Sequence, residues 1–182
     1  EGKIVDHKTD GYALYVGRLS DEKGIATLLS AWKNCEYPLQ LVGEGPLKRE
    51  VNASSNPSLQ ALGKKNKNEV IELVKNADFL VMPSIWYETF GMVIIEAFAC
   101  GTPVVVSRLG SLQTMVANGF TGLHFEPGND RDLAKKVQWM IDNPEQVKTM
   151  GLNARNEYLS KYTPDKNYEI LMDIYKQAII EV

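Results

Sequence analysis

Short apolar segments alternate with longer segments of helical periodicity over the first two thirds of the chain. Six apolar segments predict strands, at 12–16, 39–42, 59–62, 79–82, 104–106 and 122–125. Between them the pattern predicts helices, at about 23–33, 68–76, 91–99 and 112–118. Several of the strands are apolar at successive rather than alternate positions. That pattern is typical of strands in a parallel sheet that is covered on both faces.

This alternation predicts the fold class. Repeated strand–helix units build parallel sheets, so we expect an α/β, doubly wound, Rossmann-like sheet of about six strands with helices on both faces. The last third of the chain predicts a helical C-terminus, with helices at 130–142, 145–160 and 165–181. Sheets of this kind bind ligands at the carboxyl ends of their strands. The loops that follow the strands are therefore where functional residues are expected.

Composition limits the classes to which the chain can belong. Its 182 residues are 44% hydrophobic, which suits a single domain at 1–182, with a linker-like stretch at 1–10. The formal charge of -3 gives no indication of nucleic-acid binding. No apolar segment approaches the roughly 20 residues that span a bilayer. Cys35 and Cys100 have neither metal-ligand nor disulfide-framework spacing, which favours a reducing compartment.

The loop after the first strand, VGRLSDEKG, contains two cations. A glycine turn followed by a helix N-terminus is a ready anion site, because free N–H groups and the helix dipole attract negative charge. Arg18 adds a bidentate guanidinium and Lys23 a point charge, which together suit two adjacent phosphates. The alternative is that both side chains lie on the surface, paired with Glu22 or Asp21. The residues alone favour neither interpretation.

The segment PSIWYETFGMVIIEAFACGTP, residues 83–103, contains two glutamates. Glu96 lies in a predicted helix whose other residues are apolar, and such a helix is expected to be buried. A buried carboxylate needs partners, and no cation lies three or four residues from Glu96. It either accepts hydrogen bonds from the hydroxyls of a ligand or pairs with Arg18 or Arg108 as internal scaffolding. Glu88 is either a site residue or an ordinary exposed loop carboxylate.

Taken in order, these segments resemble the C-terminal domain of a family-4 retaining glycosyltransferase with the GT-B fold. The resemblance runs from about residue 11 to 142. It rests on VGRLSDEKGI, LVGEGP, LGKKNKNEVIELVKNADFLVMPS, YETFGMVIIEAFACGTPVV and NGFTGLHFEPGN. Its most specific feature is a pair of glutamates separated by seven residues, with Phe-Gly between them. In that family this domain holds the nucleotide-sugar donor.

The resemblance implies a role for each matching residue. Arg18 and Lys23 would bind the diphosphate, and Glu96 would accept hydrogen bonds from the ribose hydroxyls. Glu88 would lie by the donor sugar and be the catalytic residue. The other donor-binding positions would be Gly17, Gly43, Phe90, Gly91, Met92 and Val93. Cations and helix N-termini would stabilise the departing nucleoside diphosphate, so neither a metal ion nor another cofactor is expected.

Two departures from the family pattern matter. Where many relatives read GG-x-x-E after the fifth strand, this chain has Ser111 for the second glycine and Thr114 for the glutamate, so no role is carried over for that loop. A whole GT-B enzyme also has an N-terminal domain that binds the acceptor, a glycan or a lipid-linked molecule. This chain contains no such domain, so it is either a fragment of a longer protein or a half that works with a separate partner, and we expect the fragment. A cytoplasmic location is expected, with any membrane contact made through the missing domain.

Three functions remain open. The first, which the sequence favours, is the donor-binding half of a hexosyltransferase of polysaccharide biosynthesis, inactive when isolated. The second is a nucleotide-binding regulatory module without transfer chemistry, but such a module would not need Glu88. The third is half of a sugar-nucleotide epimerase, against which the GRLxxxKG motif and the glutamate pair argue.

The last predicted helix has an apolar stripe along one face. Its members are Tyr168, Leu171, Met172, Tyr175, Ala178 and Ile179. In the resembled fold, the final helix crosses back to pack on the N-terminal domain. We therefore expect part of this stripe to be exposed in this chain, or to be covered by a neighbouring molecule.

Overall fold

Six parallel strands form one sheet in the computed structural model, which describes residues 9–180. The strands are β1 Ala13–Val16, β2 Leu39–Val42, β3 Leu59–Gly63, β4 Phe79–Met82, β5 Val104–Ser107 and β6 Gly122–Phe125. Their order across the sheet is β3-β2-β1-β4-β5-β6, and every neighbouring pair is parallel. The predicted doubly wound α/β fold is confirmed, and each strand lies within one residue of its predicted bounds.

Helices connect the strands and form the C-terminal part of the domain. They are α1 Ile25–Ala31, α2 Lys48–Asn52, α3 Lys67–Asn76, α4 Met92–Cys100, α5 Gly110–Met115, α6 Asp130–Asp142, α7 Pro144–Lys161 and α8 Pro164–Ile180. The short helix α2 was not predicted, because only Val51 in it is buried and it shows no apolar periodicity. Helix α1 begins two residues later than predicted, since residues 21–24 form a turn. Helix α5 ends at Met115 rather than 118, because Val116 is already extended.

The apolar core lies in two layers, one on each face of the sheet. Successive strand residues point to opposite faces, and in β1 Tyr15 belongs to one layer and Leu14 to the other. Trp32 at the end of α1 is fully buried in the first layer, and Phe98 of α4 is fully buried in the second. Both faces exclude water, which explains why the strands are apolar at successive positions.

The strand order creates a switch point between β1 and β4. From β1 the chain continues to β2 on one side, whereas from β4 it continues to β5 on the other. The loops after β1 and β4 therefore diverge and leave a crevice at the carboxyl ends of these strands, where open α/β sheets bind their ligands. Lys23 lies in the first of these loops and Glu88 in the second.

Helix α8 lies against α7 and is otherwise turned to solvent. Tyr168, Leu171, Tyr175 and Ile179 are between 42% and 75% exposed, so the predicted exposure of the stripe is confirmed. Ile170 and Ile174 are also exposed, which makes the apolar surface wider than predicted. Residue 181, the last of the helix predicted at 165–181, residue 182 and the first eight residues of the linker-like stretch lie outside the described range. No helix within 9–180 is both long and apolar enough to cross a membrane.

Candidate functional site

The β1–α1 loop, residues 17–24, and the β4–α4 loop, residues 83–91, contact each other directly at the switch point. Gly24 has a φ of 71°, and a Cβ there would stand 1.8 Å from the carbonyl oxygen of Pro83. The backbone N–H of Ile85 donates to the carbonyl of Glu22 at 3.0 Å. Only glycine permits this approach, because a side chain would meet main-chain atoms. The two loops therefore form one continuous wall of the crevice.

Lys23 and Glu88 form an ion pair across these loops. The Lys23 ammonium donates to the two carboxylate oxygens at 2.6 and 2.8 Å, and the Ser84 hydroxyl donates to Oε1 at 2.5 Å. The side chains of Lys23 and Glu88 are only 30% and 14% exposed. The alternative that Lys23 pairs with Asp21 or Glu22 is therefore wrong. The alternative that Glu88 is an ordinary exposed carboxylate is also wrong.

The turn that contains Lys23 is held by its own polar groups. The Ser20 hydroxyl donates to the carboxylate of Glu22 at 2.6 Å, and this bond is the main reason that the pKa of Glu22 is lowered. Helix α1 starts after Gly24, its N-cap residue. Lys23 therefore precedes the helix and does not lie in its first turn, which leaves its ammonium free to extend into the crevice.

A cavity of about 150 Å³ opens beside the ion pair. Of the predicted site residues, those that line it are Gly17, Lys23, Glu88, Phe90, Gly91, Met92 and Val93. The N-terminus of α4 forms part of this wall, and no described side chain caps it by a hydrogen bond. The first N–H groups of a helix have no partner within the helix and give its N-terminus a partial positive charge. The cavity thus combines an ammonium, a carboxylate and a helix N-terminus.

Three predicted site residues lie outside this lining: Arg18, Gly43 and Glu96. The Arg18 side chain is exposed on the β1–α1 loop. Gly43 has a φ of 146°, and a Cβ there would stand 1.8 Å from the carbonyl oxygen of Gly17. The structure therefore gives Gly43 a packing role, because it lets the end of β2 approach the loop that forms the cavity.

Glu96 is half-buried on α4, one turn beyond Met92 and Val93 and on the same helix face. Within the described part of the chain, its carboxylate forms neither a hydrogen bond nor an ion pair. Arg108 pairs instead with Glu126 at 2.6 Å, so the scaffolding interpretation of Glu96 is wrong. Helix α4 is also less buried than predicted, since it buries only Ile94, Ala97 and Phe98.

Sequence reasoning missed Tyr15 and Ser84, which also line the cavity. The Tyr15 hydroxyl donates to the carbonyl of Arg18 at 2.7 Å and supports the first loop. Burial, followed by the charges of Glu88 and Glu22, raises the pKa of Tyr15, so its phenol stays protonated and remains a donor. In the sequence, Tyr15 is one of the residues of the apolar segment 12–16, and nothing distinguishes it from an ordinary strand residue. Ser84 offered one signal, its place directly after β4 and four residues before Glu88.

Exposed aromatic side chains edge the crevice. Trp86, Tyr87 and Phe90 are 68%, 79% and 52% exposed. Phe90 lines the cavity, whereas Trp86 and Tyr87 do not. The loop that contains Glu88 is thus largely open to solvent on the side away from the ion pair.

The strand order and the crevice at the switch point define a doubly wound, Rossmann-like α/β domain. Residues 2–157 match the family model described as glycosyl transferases group 1. The chain belongs to this family. Its predicted resemblance to the donor-binding domain of a GT-B glycosyltransferase is confirmed by this match and by the solved structures that share its fold.

Relatives and solved structures agree with this assignment. A protein of Methanocaldococcus jannaschii named as an uncharacterized glycosyltransferase is 34% identical, over 91% of this chain and 48% of its own length. Sucrose-phosphate synthase from Thermosynechococcus elongatus superposes with a TM-score of 0.84 at 28% identity, over 95% of this chain and 47% of its own. Anabaena HepE, solved with UDP, superposes with a TM-score of 0.81 at 24% identity, over 91% of this chain and 49% of its own. At this identity the likeness shows a shared fold only. The chain spans about half the length of the curated relatives it matches.

Proposed function

We propose that this domain binds the nucleotide-sugar donor of a retaining glycosyltransferase. The observation that carries the proposal is the meeting of Lys23, Glu88 and the N-terminus of α4 at one cavity, in a chain of the glycosyl transferases group 1 family. HepE, which shares the fold, has been solved with UDP and with UDP-glucose. These ligands support a nucleoside-diphosphate sugar as the donor class.

The diphosphate would lie between Lys23 and the start of α4. A helix N-terminus without a side-chain cap can present its first N–H groups to an anion, and α4 has no side-chain cap. The N–H groups of Met92 and Ile94 donate to the carbonyls of Phe90 and Gly91, so the N–H of Val93, a residue that lines the cavity, is the one proposed to meet the diphosphate. Lys23 contributes the ammonium, and Arg18 stands exposed on the same loop, where its guanidinium can turn toward a phosphate. These groups would also stabilise the charge that develops on the departing nucleoside diphosphate.

The two glutamates would have separate roles. Glu88 faces the cavity beside Lys23 and is proposed to act at the donor sugar. Glu96 has no partner among the described residues and keeps its carboxylate oxygens available, so it is proposed to accept hydrogen bonds from the ribose hydroxyls. We expect the reaction to proceed without a metal ion.

The acceptor would be a glycan or a lipid-linked molecule held by an N-terminal domain of the full-length protein. The exposed apolar face of α8 supports this part of the proposal, because a surface of that kind usually marks an interface. The isolated 182-residue chain is then expected to bind the donor weakly and to be inactive in transfer.

The test is nucleotide binding to the 182-residue chain, measured by thermal shift and calorimetry with UDP-, GDP- and ADP-sugars. A true ligand stabilises the fold by mass action. Loss of a charge-assisted hydrogen bond costs about 1.5–3 kcal/mol, so Lys23→Ala should weaken binding about tenfold or more. Lys33→Ala, which removes an exposed lysine after α1, is the matched control. Equal affinity in both variants would overturn the phosphate assignment.

A further inference from the structure

We propose that Ser111 is a positioning residue for Glu88, an inference that rests on the proposed function because it concerns the residue proposed to act at the sugar. Ser111 is the second residue of α5, after β5. Its hydroxyl donates to the main-chain carbonyl oxygen of Glu88 at 2.8 Å. A glycine at this position would lack the side-chain hydroxyl that makes this bond.

A second contact joins the same two loops one residue earlier. Gly110 lies so close to Tyr87 that a Cβ on it would stand 2.6 Å from the ring atom Cδ1. Residues 110 and 111 therefore contact residues 87 and 88, and the start of α5 holds the main chain of the β4–α4 loop. The Tyr87 ring itself is 79% exposed, so this side of the loop has little other support.

Hydrogen bonds thus hold both the side chain and the main chain of Glu88. Lys23 and Ser84 bind its carboxylate, whereas Ser111 binds its main chain. Glu88 lies in an irregular loop, and its neighbours at 85–87 and 89–90 have exposed side chains. Without the bond from Ser111, the carboxylate would remain attached to a backbone with more freedom to move.

Sugar transfer should depend on how accurately the Glu88 carboxylate is positioned. A displacement of about 1 Å at a reacting group can reduce a rate about a hundredfold. Ser111 does not line the cavity, so loss of its hydroxyl should leave nucleotide affinity unchanged. The effect of Ser111 should therefore fall on turnover and not on donor binding.

The first experiment measures hydrogen exchange of the backbone amides of Ile85 and Met92 in the 182-residue chain, because these amides lie on either side of Glu88 and donate to the carbonyls of Glu22 and Phe90. One hydrogen bond is worth about 0.5–1.5 kcal/mol, so Ser111→Ala should speed exchange about two- to tenfold. Ser111→Thr keeps a hydroxyl and should restore the original rate. Thr114→Ala is the matched control, since its hydroxyl donates to Gly110 within α5. Unchanged exchange in Ser111→Ala, or an equal increase in Thr114→Ala, overturns the proposal.

The second experiment separates this inference from the proposed function. In the full-length enzyme, Ser111→Ala should lower kcat severalfold, with the donor KM unchanged and with rescue by Ser111→Thr. An unchanged kcat would overturn the positioning role. Normal turnover in Glu88→Gln would instead refute the proposed role of Glu88, while the exchange measurement would still decide whether Ser111 holds the loop.

Discussion

The switch-point crevice and helix α8 differ in the kind of side chain that each places in an unusual environment. In the crevice, a charged side chain is drawn inward: Glu88 is 14% exposed and is bound by Lys23 and Ser84. On α8, apolar side chains face outward: Tyr175 is 55% and Ile179 is 75% exposed. A carboxylate withdrawn from water needs hydrogen-bond partners, and the chain supplies them. An apolar face needs a covering surface, which the described residues do not supply.

This difference indicates which surfaces belong to the domain itself. The crevice is formed by contacts between the loops after β1 and β4 and the start of α5, so its geometry should persist in the isolated chain. The face of α8 gains no such support among the described residues, and it should serve as the interface with the N-terminal domain proposed above. Substitutions in the crevice should change binding and turnover, whereas those on α8 should change association.

The largest effect is expected for Glu88→Gln in the full-length enzyme. Replacing a group that acts in the transition state typically costs about 10²–10⁴-fold in rate, so turnover should fall by about that factor. Affinity for the nucleoside diphosphate, measured by calorimetry, should change little, because Lys23 and the start of α4 remain. Glu126→Gln is the control, since Glu126 pairs with Arg108 at an exposed position.

Gly24→Ala should separate the two loops of the crevice. Its Cβ would overlap the carbonyl of Pro83, and overpacking of this kind costs about 1–3 kcal/mol beyond the strain of a positive φ. Gly119 also has a positive φ, but a Cβ there meets nothing within 4 Å. Urea unfolding should therefore show a larger loss of stability for Gly24→Ala than for Gly119→Ala. Equal losses would mean that the close contact with Pro83 adds nothing.

Glu96→Gln should reduce nucleotide affinity without affecting the fold. Weaker hydrogen bonds to the ribose should lower affinity about tenfold. Because the carboxylate has no partner in the described part of the molecule, the free energy of unfolding should stay within about 0.5 kcal/mol of the original. Calorimetry and urea unfolding measure the two quantities. A large loss of stability with unchanged affinity would revive a structural role for Glu96.

The smallest effect on the isolated chain is expected for Ile179→Asp on α8. The side chain is already in water, so stability should change by no more than about 0.5 kcal/mol. Leu133→Asp, at a fully buried position, should by contrast prevent folding. Binding to a separately expressed N-terminal half, followed by calorimetry, should be weakened in Ile179→Asp. Unimpaired binding would show that this face of α8 does not form the interface.

The predicted strands were accurate because the signal for each is local. In β4, four successive apolar residues report burial on both faces of the sheet. Helix boundaries were less accurate where a turn precedes a helix, as at α1, or where a helix buries only one residue, as in α2. The glutamate pair and the GRLxxxKG motif, read through a family resemblance, led to most of the cavity lining. Tyr15 was missed because the sequence pattern of a strand does not distinguish a residue that supports a loop from an ordinary core residue.

The sequence by itself determined the class of fold, the loops where a site would lie and the family. Each of these follows from apolar periodicity, turn residues or a short motif, which are properties of neighbouring positions. Only the tertiary structure decided how the site's charges are paired. Lys23 and Glu88 lie 65 positions apart, and Ser111 lies 23 positions from Glu88. Contacts at such separations depend on strand order, which places β4 beside β1 and β5 beside β4, and no local pattern specifies which side chains then meet.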